Sequence, residues 1–128
     1  MLLETHKNEK GVLVPIEFKD LPFEPKRVFY VTGVPVNDIR GCHAHYTTQQ
    51  LLVCIKGVIA VKLDCGDKWW EVYLKENESV FCDSMVWDEQ TYLAEGSVLM
   101  SICSTEHNPE DYITDYEEFV KIKGGLNA

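Results

Sequence analysis

The chain has 128 residues, 45% of them apolar, and a formal charge of −9, which is enough for one well-packed domain and too little for two ordinary ones. The acidic balance argues against nucleic acid as a partner, because phosphate backbones are met by clustered lysines and arginines and no such cluster is present. The longest unbroken apolar run, residues 51–55, cannot span a membrane, and the charged first ten residues lack the apolar block of a secretory signal. A single cytoplasmic domain over residues 1–128, with no membrane partner, is therefore expected.

After a polar start, residues 11–18 read as a strand, with Pro15 marking an edge position or a bulge. Residues 20–25 hold two prolines and read as a connector, and Arg27-Val-Phe-Tyr-Val31 is dense in strand formers. Residues 32–39 carry loop chemistry. Strands are predicted over 42–46 and 50–56, with Gly57 joining the latter to 58–63 as a hairpin. A turn over 64–67 leads to a strand over 69–74, and shorter strands follow at 79–82, 85–87 and 97–103. Many short strands at regular spacing predict an all-β antiparallel sandwich or barrel. One helix is predicted, opening at Asn108-Pro-Glu-Asp111 with Asn108 as its cap and Pro109 in its first turn. Tyr112, Ile113, Tyr116, Phe119 and Val120 would form its apolar stripe, and residues 121–125 its stop and frayed tail.

Chemistry concentrates in residues 40–57. Strand alternation turns His43 and His45 to one face and Cys42 and Ala44 to the other. A metal site would want an anionic ligand nearby, but Gln49 and Gln50 stand where a carboxylate is needed, and His6 and His107 lie in polar segments. General acid/base chemistry fits better: two adjacent imidazoles oppose each other's protonation, so one can stay neutral as base. Tyr30 could add a phenol from the preceding strand. Alternation removes Cys42 as a nucleophile, and the five cysteines, an odd set with no Cys-x-x-Cys pair, read as reduced thiols, several of them in the core. Trp87-Asp88-Glu89 could line a site or form a rim. Trp69 and Trp70 point to opposite faces, so at most one is core. The chain has only two arginines, Arg27 and Arg40, and both lie close to the histidine strand, where an anionic ligand would find them.

Arg27-Val-Phe-Tyr30, Arg40-Gly-Cys-His-Ala-His45, Gln50-Leu-Leu-Val-Cys-Ile-Lys-Gly57, Met85-Val-Trp87 and Asp111-Tyr-Ile-Thr-Asp-Tyr116 resemble, in order and spacing, the dTDP-sugar 3,4-ketoisomerases. The resemblance implies a small cupin-type antiparallel β-barrel (jelly roll) with one C-terminal helix, working without metal or cofactor as a homodimer, in this family often with exchanged strands. It implies a dTDP-linked keto sugar as ligand, with dTDP-4-keto-6-deoxyglucose turned into a 3-keto isomer for a 3-aminosugar pathway. His43 and His45 match the catalytic pair and Tyr30 an active-site tyrosine. Arg27, Arg40 and Gln50 match substrate-binding positions. The chain departs from the family pattern at Asp88, where a histidine is common, and at Lys10, where an arginine is often found. A dTDP-sugar epimerase and a non-catalytic sugar-nucleotide-binding cupin are the competing readings.

Overall fold

The computed structural model describes residues 3–126. The strands are β1 (His6–Asn8), β2 (Gly11–Leu13), β3 (Arg27–Val31), β4 (Ile39–His45), β5 (Gln50–Lys56), β6 (Ile59–Asp64), β7 (Trp69–Leu74), β8 (Glu78–Cys82), β9 (Trp87–Tyr92), β10 (Val98–Cys103) and β11 (Tyr112–Ile113), followed by helix α1 (Tyr116–Leu126). They form a four-stranded sheet, β3-β10-β5-β8, a five-stranded sheet, β11-β4-β9-β6-β7, and the separate pair β1-β2. The chain is thus mostly β with one C-terminal helix, as expected. Among the described residues the two large sheets remain separate hydrogen-bonded units rather than one closed barrel.

From β3 to β11 every connection except the β6–β7 hairpin crosses from one sheet to the other. That corrects the hairpin expected at Gly57: β5 pairs with β8 and β10, while β6 pairs with β7 and β9. Gly57 turns the chain between sheets at φ 86°, where a Cβ would stand 2.8 Å from the Ser97 Cα. We expect Gly57→Ala to destabilise the chain by about 2 kcal/mol or more, from left-handed backbone strain plus overpacking. Urea unfolding with an unchanged midpoint would contradict this.

Alternation along the strands fills the space between the sheets with Leu52, Cys54, Ile59, Val61, Leu63, Leu74, Cys82, Tyr92 and Leu99. Strand β5 is buried on both faces, because Leu51 and Val53 turn outward beneath Leu3, Ile16, Leu21 and Phe23 from the N-terminal segment. Residues 11–18 hold only the short β2, and the chain after Pro15 passes into a 3-10 turn at Phe18–Asp20. Cys54, Cys82 and Cys103 are buried, and all five cysteines are free thiols. Trp69 and Trp70 are both exposed.

The helix begins later than its sequence signals suggest. Asn108 does cap a turn, accepting from the Glu110 N–H at 3.0 Å, but that turn is the 3-10 segment Pro109–Asp111, and Tyr112 and Ile113 then pair with β4 as a strand. Asp115 caps α1 instead, its Oδ1 accepting from Glu117 N at 2.9 Å and Glu118 N at 3.2 Å. The helix continues through Gly124 and Gly125 to Leu126, past the stop and frayed tail expected at residues 121–125. Phe119 packs with Ala44, Trp87 and Ile113, so α1 seals the outer face of the five-stranded sheet behind the histidine strand. Among the described residues no helix is long and apolar enough to cross a membrane.

Candidate active site

Strand β4 carries most of the site, and its register explains how. Arg40 pairs with Gln90 and His43 with Asp88, with a bulge between Gly41 and His43. Cys42 is the extra residue, at φ 57°, and it is exposed to solvent. Arg40 and His43 are three residues apart, so a regular strand would send them to opposite faces. The bulge restores them to one face, alongside Gln90 and Asp88. After it, His45 pairs with Tyr112 toward the interior, while Ala44 pairs with Ile113 toward the helix.

A cavity of about 350 Å³ opens between the sheets, lined by Arg27, Phe29 and Val31 of β3, Arg40, Gly41 and His43 of β4, Gln50, Gln90, His107 and Tyr112. Both arginines of an acidic chain thus meet at one place, which marks it for an anionic ligand. Three buried polar atoms at or beside the cavity have no hydrogen-bond partner: Arg27 Nε, His45 Nε2 and Gln50 Oε1. Leaving such groups unpaired costs about 1–3 kcal/mol each, a penalty a bound ligand can relieve.

The histidine rings lie 4.9 Å apart, edge to face at 78°. Tyr112 covers both, 5.1 Å from His43 and 4.5 Å from His45. His45 is only 3% exposed. Burial first, then the neighbouring His43 and the Arg27 guanidinium, push its pKa down to about 4 against the pull of Asp111. It is a neutral imidazole at neutral pH. Burial also lowers the pKa of His43, and a contact with the Gly41 backbone partly offsets this.

The turn after His45 is anchored by Asp111. Its carboxylate accepts from the Thr47 N–H at 2.9 Å, the Thr47 hydroxyl at 2.7 Å, the Thr48 N–H at 3.2 Å and the Thr48 hydroxyl. Burial would raise the pKa of this carboxyl, but the bonds from Thr48 and Thr47 outweigh it and hold the value below the usual range. The anchor fixes β11 to β4 and so sets Tyr112 against the imidazoles.

His43, His45, Arg27, Arg40 and Gln50 are therefore brought together. Tyr30 is not: it is 73% exposed, because the alternation that turns Arg27, Phe29 and Val31 to the cavity turns Val28 and Tyr30 away. The phenol of this site is Tyr112, which the spacing had assigned to the helix stripe. Phe29, Gln90 and His107 also line the cavity without having been singled out for it. Among the described residues no group of three or more His, Cys, Asp or Glu is arranged to hold a metal ion.

Comparison with known proteins identifies the family. The family model "FdtA: WxcM-like, C-terminal" matches residues 1–124. A TDP-4-oxo-6-deoxy-alpha-D-glucose-3,4-oxoisomerase from Aneurinibacillus thermoaerophilus is 34% identical over 122 residues, 94% of this chain and 88% of the relative. The sugar 3,4-ketoisomerase QdtA from Thermoanaerobacterium thermosaccharolyticum, solved with TDP, superposes with a TM-score of 0.92 at 29% identity, over 99% of this chain and 94% of that one. A mutant of QdtA, solved with TDP-4-keto-6-deoxyglucose, superposes at 0.91 and 29% identity over 97% and 91% of the two chains. The fold alone extends to the Mycobacterium tuberculosis rmlC epimerase, at TM-score 0.77 and 15% identity over 88% of this chain and 65% of the epimerase. With both arginines and the histidine pair gathered at one cavity, and with these matches across nearly its whole length, the chain belongs to the FdtA family of dTDP-sugar 3,4-ketoisomerases.

Proposed function

We propose that this chain converts dTDP-4-keto-6-deoxyglucose into a dTDP-3-keto-6-deoxyhexose by histidine acid/base catalysis. The observation that carries the reading is His45, a neutral buried imidazole with an unpartnered Nε2, packed behind His43 and Tyr112, which line the cavity with Arg27 and Arg40. The C4 ketone acidifies the hydrogen on C3. His45 removes that proton to give an enediolate, and protonation at C4 completes the carbon part. O3 gives up its proton as it becomes the ketone and O4 gains one, so no electron leaves the sugar and no redox partner is needed. His43 serves this oxygen exchange, Arg40 stabilises the oxyanion, and Arg27 and Gln50 hold the nucleotide-linked sugar. The 3-keto product is the carbonyl an aminotransferase would need to install a 3-amino group.

An NMR time course with dTDP-4-keto-6-deoxyglucose in heavy water tests the reading. A 3-keto product labelled at C4 supports it. Label at carbon without movement of the ketone would make the chain an epimerase, and binding without label a non-catalytic cupin.

A homodimer with exchanged strands completes the proposal, and with it a closed cupin-type barrel. The β1–β2 pair is exposed along its whole length and pairs with no other strand among the described residues, and an isolated two-stranded hairpin is marginal in water. Val12, Leu13, Val28 and Tyr30 are exposed apolar or aromatic side chains nearby in the chain that a second copy could cover. Light scattering that returns a monomer mass at micromolar concentration would remove this part. The five free thiols suit a reducing cytoplasm.

A further inference from the structure

Asp88 is 0% exposed, and a carboxyl at that depth must be neutralised or paired. Among the described residues its one ion-pair contact is with His43, Nε2 to Oδ2 at 3.9 Å. The groups packed around it are few. From β4 come His43 and Gly41, whose missing side chain makes room: a Cβ there would stand 2.6 Å from Asp88 Oδ1. From β8 comes the Cys82 thiol, 3.8 Å from Oδ2. On its own strand the Gln90 amide donates to Oδ1 at 2.9 Å, and the Tyr92 hydroxyl donates to Gln90 at 3.1 Å. Glu89 is the adjacent charge.

We propose that Asp88 is the positioning residue of His43, a buried carboxyl whose Oδ2 faces the ring's Nε2 from the paired strand and orients it. The pair leaves His43 to move the proton between the sugar oxygens and His45 to work at carbon. Cross-strand pairing of residues 43 and 88 places the two groups face to face, and the Gln90–Tyr92 chain fixes the carboxyl plane from behind. Burial drives both partners toward neutral forms, Asp88 up to about 7 and His43 downward, so Asp88 gives up its proton near neutral pH beside a neutral imidazole. The role of His43 at the sugar oxygens rests on the ketoisomerase reading; the pairing itself does not.

The test is an NMR titration of histidine-labelled protein without substrate, followed by steady-state kinetics. In the wild type the His43 ring signals should show a step near pH 7 as the facing Asp88 carboxyl loses its proton. Asp88→Asn keeps the shape and an acceptor for Gln90, and should erase that step while lowering kcat by about tenfold or more with KM within about twofold. Glu89→Gln, which removes the neighbouring charge, should leave the step and kcat in place. A folded Asp88→Asn variant whose His43 titrates as in the wild type would overturn the pairing. Loss of the step with unchanged kcat would overturn the positioning role. If Asp88→Asn does not fold, the reverse arm is His43→Asn, in which the Asp88 carboxyl carbon must titrate away from its wild-type midpoint; an unmoved midpoint overturns the proposal. A wild type that shows the step but does not isomerise the sugar nucleotide would keep the pairing and remove the ketoisomerase reading.

Discussion

His45→Asn should lose at least about a hundredfold in kcat, the share a positioned general base contributes to proton abstraction. Asparagine cannot take a proton from carbon, and it fits the space of a buried ring packed against His43 and Tyr112 without adding bulk. Substrate binding through Arg27 and Arg40 should persist, so KM should move far less than kcat. The wild-type pH profile gives a second check. An imidazole held near pKa 4 stays neutral as pH falls, so kcat/KM should hold below pH 6.5, where an ordinary histidine base would already be half protonated. His43→Asn should produce a loss of similar size. Near-normal turnover in both variants would remove histidine acid/base catalysis from this site.

How far these features could be read in the sequence depended on whether local pattern and tertiary role agreed. The ranges of β3, β5 and β7 follow directly from their runs of β-branched and aromatic residues. Strand β9 was visible only at its start, because its continuation, Asp88-Glu89-Gln90-Thr91, has poor strand propensity. Two of those polar residues, Asp88 and Gln90, are buried at the site, where chemistry overrides propensity. Gly57 gave the same local signal for a hairpin and for a passage between sheets; only the pairing partners distinguish them. Asn108 and Pro109 are true capping signals attached to a single 3-10 turn, and Asp115 ahead of Glu117 and Glu118 was the better cue for the helix.

Tyr30 was decidable from the residues alone. It lies three positions from Arg27, so the two cannot share a face of a regular strand. Arg40 and His43 show the same odd spacing yet do share a face, because of the bulge at Cys42. The Gly41-Cys42 pair, with both residues at positive φ, is the physical difference between the two cases. No periodicity rule reports it.

The same coupling of turn and site makes Asp111→Ala the most damaging substitution expected outside the histidine pair. Four hydrogen bonds end on this one carboxylate, from the backbone and hydroxyls of Thr47 and Thr48. Their loss strands buried donors at Thr48, which is 2% exposed, and should destabilise the chain by about 2–4 kcal/mol. The folded pKa of Asp111 is depressed, so its stabilisation is complete above the unfolded value of about 3.9 and fades as pH falls through the folded one. The variant should accordingly lose stability at pH 7 yet show a shallower acid dependence than the wild type in urea titrations. Activity should fall with stability, because the strut that keeps β11 on β4 also keeps Tyr112 against the imidazoles. Asp111→Asn retains one acceptor oxygen and should fall between the two. A neutral effect of Asp111→Ala on both unfolding midpoint and kcat would mean that β11 is held by its strand pairing alone, and that the turn after His45 does not set the geometry of the base.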